Sequence, residues 1–354
     1  MSSKIPSSPS RRPTMDDVAR HCGHSRSTVD RVLNGRSNVR EDTAQRIRAS
    51  AEALGFYAAG VITERLRDVR PRLTLGFLLQ LPNAVFYRGL AAALAQATQD
   101  CPTLRGRAVV EYLKDQTPEC VAEHLADLGQ RVDAIAVVTA DHALVNNAIE
   151  ALHQRQVPVF GLISDLSSPL RAGYAGLDNR RVGRTAAWLI SELAHAPGPV
   201  AIFVGSHRFQ CQELSEISLR SYMREHAPDF DLLETISTLE SDAYGEERTH
   251  ELLDSHPDLV GFYMGGSGIE GVLKALEQRR QRNRGAQRVV GIGTELTPVT
   301  RAGLIHRHFA AVLSHPLPQL CRELVAQMAE AVVQPTAGVR QVLVPMDIHL
   351  PESV

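Results

Sequence analysis

The residues best suited to chemistry in this chain lie in two groups. The first is the tetrapeptide Ser25-Arg26-Ser27-Thr28, followed at helical spacing by Arg31 and Asn34 and preceded by Thr14. Arginine can bond two acceptors on a guanine edge at once, and short hydroxyl side chains reach either a base edge or a phosphate. That makes the stretch a candidate reader of duplex DNA. The second group is scattered through the rest of the chain, at the ends of short apolar runs: Asn83, Phe86, Asp141, Ser164, Asp165, His207, Arg208, Glu213, Glu216, Ser267, Thr294, Glu295 and Ser314. One aromatic ring among many hydrogen-bonding groups suits a sugar, a polyol or a similar polar metabolite. No Ser-His-Asp set or metal-ligand spacing appears among them, so a binding site is expected and a cleft enzyme is the weaker alternative.

Each group needs elements to hold it. Around the first, Thr14 with Asp17 three residues on has the pattern of a capping box, and Val18, Ala19 and Cys22 share a helical face. Gly23 interrupts that run, and Ser25 can cap a second helix carrying Val29, Val32 and Leu33. A third helix is expected to start near Thr43, with Ala44, Ile47, Ala51 and Leu54 on one face and Gly55 at its C-cap. Two helices joined by a tight glycine turn have the spacing of a helix-turn-helix, whose second helix enters the major groove by its N-terminal end.

From residue 72 the pattern changes to short apolar runs alternating with amphipathic helices. Strands are expected over 73–80, 107–113, 134–140 and 158–164, then over 199–205, 232–239, 259–266, 288–295 and 309–316. Between them helices are expected over 85–99, 117–128, 143–156, 179–195, near 214–226, and over 243–254, 268–281 and 297–305, with a last one ending about 333. This is the order of two parallel-sheet halves, each binding at the C-terminal ends of its strands, with a ligand in the cleft between them.

The pattern Thr14-x-x-Asp17-Val18-Ala19, then Gly23-x-Ser25-x-x-Thr28-Val29-x-Arg31-Val32-Leu33-Asn34-Gly35, then Val39, Thr43 and Ile47, resembles the headpiece of the lactose-repressor (LacI/GalR) family. The body resembles that family's periplasmic-binding-protein-like effector domain, with Asp178-Asn179 and Gly183 at the crossover and HPDLVGFY at a later strand. The resemblance implies an α/β chain in four parts. These are a disordered arm over 1–13, a helix-turn-helix headpiece over 14–57, a hinge over 58–71 and an effector domain over 72–354. One lobe of that domain would take about 72–177 plus a return segment of about 309–330, the other about 178–308 plus about 331–354. It also implies a dimeric repressor that binds operator DNA, is controlled by a small effector, and lies in the cytoplasm without a membrane segment or cofactor. In the hinge the family wedges a leucine into the minor groove; here Ala58 and Ala59 replace a usual Pro-Asn pair and Leu66 is the candidate wedge, one residue late. Ser215 and Gly266 stand where the family often has an arginine and an aspartate, leaving Glu216, Glu295 or Arg208 to compensate. A ligand-binding protein that no longer regulates DNA is the leading rival reading.

Charge agrees with this division. Residues 1–70 carry 13 Lys and Arg against 8 Asp and Glu, whereas the remainder carries 25 against 32, so the basic part coincides with the headpiece. Five scattered cysteines without a C-x-x-C pair argue for free thiols rather than disulfides or zinc. Gly291-x-Gly293 has Leu296 where a dinucleotide fingerprint needs glycine, and Gly265-Gly266-Ser267-Gly268 lacks the lysine of a P-loop. Trp188 is expected to pack its helix on a sheet, and His306-x-His308 to mark an exposed helix end.

Overall fold

The computed structural model describes residues 12–34, 39–58, 70–113, 115–282, 288–335 and 338–354. The chain divides into two compact units, an N-terminal one ending at Arg72 and a larger one holding the rest but for residues 103–105.

Among its described residues the N-terminal unit has the helices α1 (Met15–Cys22), α2 (Arg26–Leu33) and α3 (Glu41–Ala53). Thr14 caps α1 in a full capping box with Asp17, and Gly23 ends it at φ 74°, a left-handed turn that glycine adopts without strain. Ser25 then caps α2 through the Thr28 N–H, so the two helices are separated by three residues. Val18, Val29, Ile47 and Ala51 are buried in one small core, extended by Phe56 and Ala58. The third helix starts at Glu41, two residues before Thr43, with Arg40 at its N-cap and no side-chain capping bond. Gly55 follows it at φ 64°, the left-handed position expected there.

The larger unit is built on two sheets. The first runs in the order β12-β5-β4-β3-β1-β2, the second β13-β11-β10-β9-β6-β7 with β8 also on β6. The strands of the first are β1 (Arg72–Leu79), β2 (Arg105–Tyr112), β3 (Ala134–Val137), β4 (Val159–Leu162), β5 (Gly173–Gly176) and β12 (Arg340–Leu343). Those of the second are β6 (Pro199–Val204), β7 (Asp231–Leu232), β8 (Ile236–Ser237), β9 (Gly261–Met264), β10 (Val290–Thr294), β11 (Ala311–Ser314) and β13 (Asp347–His349). Of the registers between them, β11–β13 is antiparallel, while β1–β3, β3–β4, β4–β5, β6–β9 and β9–β10 are parallel. Strands β3, β4, β5, β9 and β11 are buried along their whole length, as expected where helices cover both faces of a parallel sheet.

Helices α4 (Val85–Asp100), α5 (Pro118–Leu128) and α6 (Ala143–Gln154) connect the first sheet. The second is served by α7 (Asn179–Leu193), α8 (Gln210–His226), α9 (Asp242–Ser255), α10 (Ile269–Arg282) and α11 (Pro298–Ile305). The long α12 (Leu317–Val333) returns to pack on α4, β3 and β12. The chain therefore passes between lobes at 177–178, 315–316 and 344–346.

Several boundaries differ from expectation. Residues 309–314 do not join the first lobe: β11 pairs with β10, because the short β10–α11–β11 unit returns each strand beside its predecessor. Conversely β12 leaves the second lobe and pairs with Gly173–Gly176, since α12 carries the chain back across. The strand expected over 232–239 is two short pairings, β7 and β8; between them the Leu233 carbonyl and the Thr235 hydroxyl accept from Arg220. The helix expected near 214 starts at Gln210. Trp188, expected to pack its helix on a sheet, is 48% exposed on α7.

Candidate DNA-reading and ligand-binding sites

In the N-terminal unit the first turn of α2 presents Ser25, Arg26 and Ser27 to solvent, with Arg31 exposed further along. The Ser25 hydroxyl is engaged: it accepts from the Thr28 N–H and lies 2.8 Å from the hydroxyls of Ser27 and Thr28. The Arg26 side chain is 67% exposed, and its Nη1 stands 3.4 Å from Asp16 Oδ2, an ion pair worth little in water and easily exchanged for an acceptor on another molecule. Thr14 and Asn34 are held by their own helices: the Thr14 hydroxyl donates to Asp17 Oδ2 at 2.7 Å and Asn34 Nδ2 to Asp30 Oδ1 at 2.7 Å. Leu66 lies outside the described residues.

In the larger unit the loops after the strands of both lobes meet. The Asp141 N–H donates to the Arg208 carbonyl at 2.9 Å, the Cys211 N–H to the Ser164 hydroxyl at 3.3 Å, and Gln210 Nε2 to Asp141 Oδ2 at 3.5 Å. Beside these contacts is a cleft of about 220 Å³ lined from one lobe by Gln116, Thr139, Asp141 and His142 and from the other by Ser206, Arg208 and Phe209. Asp141 is further bonded by the Ser167 N–H at 3.2 Å.

Deeper between the lobes is a second polar cluster. Tyr87, on α4, has its phenol held above the ordinary range by burial and then by the charges of Glu240, Cys211 and Glu295 from the opposite lobe. Burial pushes the Cys211 thiol up to about 12 in spite of its hydrogen bond with Ser164. Tyr263 is likewise raised by burial, with Cys211 and Glu295 adding to it against a hydrogen bond with Ser215. Glu240 Oε1 accepts from Gln212 Nε2 at 3.2 Å and Oε2 from the Ser267 N–H at 3.3 Å. Glu295 Oε1 stands 2.6 Å from His315 Nδ1, and Oε2 accepts from the His315 N–H at 3.4 Å. His315 is only 8% exposed, and its Nε2 has no hydrogen-bond partner among the described residues. A buried polar atom left so costs about 1–3 kcal/mol until something bonds it.

The backbone marks the same region. Of seven non-glycine residues at positive φ among those described, Leu81, Ile163, Leu239, Glu240 and Glu295 lie within three residues of the C-terminal end of a strand. Left-handed conformations cost such residues about 1–3 kcal/mol and persist where the surroundings impose them, often at binding sites. Close approach reinforces this: a Cβ on Gly205 would fall 1.5 Å from Glu240 Oε1, and one on Gly266 would fall 2.3 Å from the Gly205 nitrogen.

The expected site residues thus separate. Asp141 and Arg208 meet at the outer cleft, while Ser164, Ser267 and Glu295 join the inner cluster, with the Thr294 hydroxyl donating to the Met264 carbonyl at 3.1 Å. Phe86 is half-buried with its ring 5.2 Å from that of Tyr87. Others are committed elsewhere. Asp165 is held bidentately by Arg171 at 2.7 and 2.9 Å, and the Ser314 hydroxyl is 2.8 Å from His349 Nε2. Glu216 is bonded by Arg220 Nε at 2.9 Å, by His207 Nε2 at 2.6 Å and by Thr235; burial raises its carboxyl, but these bonds outweigh that and hold it below the ordinary range. Asn83 and Glu213 are exposed, the Asn83 carbonyl accepting from Arg88.

Tyr87, Cys211, Gln212 and Glu240 were not legible beforehand. The signal for Glu240 would have been Gly205, whose missing Cβ makes room for it from more than 30 residues away in the chain. The Oε2 of Glu240 accepts from the N–H of Ser267, the residue after Gly266, while of Glu216, Glu295 and Arg208 only Glu295 joins the same cluster. His308 is not the exposed helix end expected: its Nε2 is 3.0 Å from Glu277 and its side chain is 12% exposed, burial lowering its pKa. Among the described residues no three His, Cys, Asp or Glu side chains are placed to hold a metal, and no helix is long and apolar enough to cross a membrane.

Fold and site together define a two-lobed α/β binding protein with a helix-turn-helix headpiece. Residues 108–334 match the family described as "Periplasmic binding protein domain" and residues 14–58 that described as "Bacterial regulatory proteins, lacI family". The chain belongs to the periplasmic-binding-protein-domain family and carries a lacI-family regulatory headpiece. It is 29% identical over 147 residues to catabolite control protein A of Priestia megaterium, covering 41% of this chain and 42% of that one. To the HTH-type transcriptional regulator MalR of Streptomyces coelicolor it is 29% identical over 201 residues, 54% of each chain. It therefore aligns with about half the length of these regulators. Among solved structures, GanP, a glucose-galactose binding protein from Geobacillus stearothermophilus, superposes with a TM-score of 0.68 at 20% identity over 79% of this chain and 99% of that one, a likeness of fold.

Proposed function

We propose that the chain is a sequence-specific DNA-binding transcriptional regulator, a cytoplasmic repressor, whose operator affinity is set by a small polar metabolite held between its lobes. The observation that carries the reading is the exposed first turn of α2, with Arg26 and Ser27 facing solvent at the N-terminal end of a helix-turn-helix. Such an end enters a major groove, and a homodimer would place two of them on half-sites of a roughly palindromic operator. The headpiece's match to the lacI family and the naming of MalR as an HTH-type transcriptional regulator support this. The sugar in the name of GanP supports a sugar or polyol as the metabolite.

A ligand touching both lobes favours the closed arrangement by its extra affinity for it, and closure is linked by the same free energy to operator affinity. In that role Tyr87 and Ser164 act from one lobe, and Glu240, Ser267 and Glu295 from the other. The test is enrichment of duplexes from a random pool on the purified full-length protein, followed by footprinting. A palindromic consensus protected at low and moderate salt is expected. Retention of no particular sequence, even at low salt, would overturn the regulator reading and leave a ligand-binding protein with an idle headpiece.

A further inference from the structure

We infer that the inner polar cluster selects hydroxylated ligands that carry no negative charge, with Glu240 and Glu295 as acceptors for ligand hydroxyls and His315 Nε2 as a further hydrogen-bonding group; this rests on the reading of the space between the lobes as a metabolite site.

The first ground is the charge balance. Two carboxylates reach the cluster from one lobe, and their described partners are a glutamine amide, a backbone N–H and one imidazole with its own N–H. The arginines of the surrounding loops are engaged elsewhere: Arg171 with Asp165 and Arg220 with Glu216. Arg208 lies in the outer cleft, where Asp141 accompanies it. An anionic group entering beside Tyr87 would therefore meet two like charges in a poorly solvated space, whereas a hydroxyl would find acceptors.

The second ground is unused bonding capacity. A carboxylate offers about four lone-pair sites, and each oxygen of Glu240 and Glu295 accepts one hydrogen bond given by the described residues. His315 Nε2 is buried and unbonded, while Nδ1 is fixed by Glu295, so the ring is oriented with one nitrogen left over. A polyol supplies both kinds of partner within a few ångströms.

The third ground is that the carboxylates are placed at a cost. Glu240 and Glu295 have φ of 58° and 62°, and the Glu240 carboxylate fits only because Gly205 lacks a Cβ. A surface acid held by nothing but solvent would not need either device.

The experiment uses the full-length protein and matched ligands: glucose, galactose and maltose; glucuronate and galacturonate; glucose 6-phosphate; and glucosamine. Thermal shift ranks them and calorimetry measures them. At least one uncharged or cationic member should bind, with its carboxylate or phosphate counterpart weaker by tenfold or more. The Glu240→Gln and Glu295→Gln variants, on separate loops, should each weaken the neutral ligand and narrow that ratio, while His315→Gln should weaken the neutral ligand and keep the ratio. An anionic member binding as tightly as its neutral parent would overturn the charge inference and leave the metabolite site standing. Binding by no member of the panel would instead overturn the sugar-cleft reading and the inference with it. Because the matched ratio is read on the unaltered protein, a variant that fails to fold does not decide the matter.

Discussion

Arg26 and Glu216 show how differently one charged residue can act in the two units. Arg26 is exposed and its ion pair with Asp16 contributes little to stability, so its side chain is available to another molecule. If it bonds a guanine edge, Arg26→Ala should cost about 1–3 kcal/mol on the selected operator, leave random DNA nearly unaffected, and leave the melting temperature in place. Equal weakening on both DNAs, measured by salt-matched titration, would reduce Arg26 to a phosphate contact. Glu216 is nine-tenths buried and holds Arg220, His207 and Thr235 together. Its carboxyl is depressed in the folded chain, so the stability it contributes is present above the unfolded carboxylate range and is lost as pH falls through the depressed value. Glu216→Gln should therefore be less stable than the parent at pH 7, with the gap closing below about pH 4. A gap independent of pH in denaturant titrations would mean that packing, not ionisation, carries the effect.

At the scale of elements, the inner site depends on how closely three strand ends approach. The ends of β6, β8 and β9 bring Gly205, Glu240 and Gly266 together, and two of the three have no side chain. Gly205→Ala should drive the Glu240 carboxylate from its place, since the new Cβ would fall on Oε1. The displaced group is the end of a flexible chain, so the stability cost should stay near ~1 kcal/mol while ligand affinity falls much further. Calorimetry and denaturant unfolding on the same variant separate the two, and a large stability loss with unchanged affinity would remove Glu240 from the site. The pair β7 and β8 makes the same point. The stretch reads as one strand by its apolar residues, yet Arg220 and Glu216 bond its middle and break the ladder.

At the scale of the whole larger unit, the lobes are joined at three crossovers and touch again through Asp141 with Arg208 and Ser164 with Cys211. Cys211 is a reporter of that contact. Cys211 is half-buried where the lobes touch and burial raises its thiol to about 12, so alkylation, which needs the thiolate, should be faster where the lobes part. Saturating ligand should slow labelling of Cys211 by iodoacetamide about tenfold or more, read by peptide mapping, while Cys120, the other half-buried thiol, keeps its rate. Unchanged protection would mean that the ligand does not favour the closed arrangement, and linkage to DNA would need another route.

What the sequence alone determined follows from periodicity and local chemistry. The headpiece was legible almost residue by residue, because Thr14, Gly23, Ser25 and Gly55 act on their own neighbours and a short helical stripe makes its own core. The alternation of strands and helices in the body was legible for the same reason, as was the placing of polar residues at strand ends. Tertiary structure decided what depends on distance between separate segments. It put β11 in one sheet and β12 in the other, and tied Asp165, Glu216 and Ser314 to protein partners. It also gathered Tyr87, Cys211, Gln212, Glu240 and His315 around Glu295. A residue's type tells what it can bond, but whether that capacity is spent within the chain or left for a ligand depends on neighbours that the fold brings from far away.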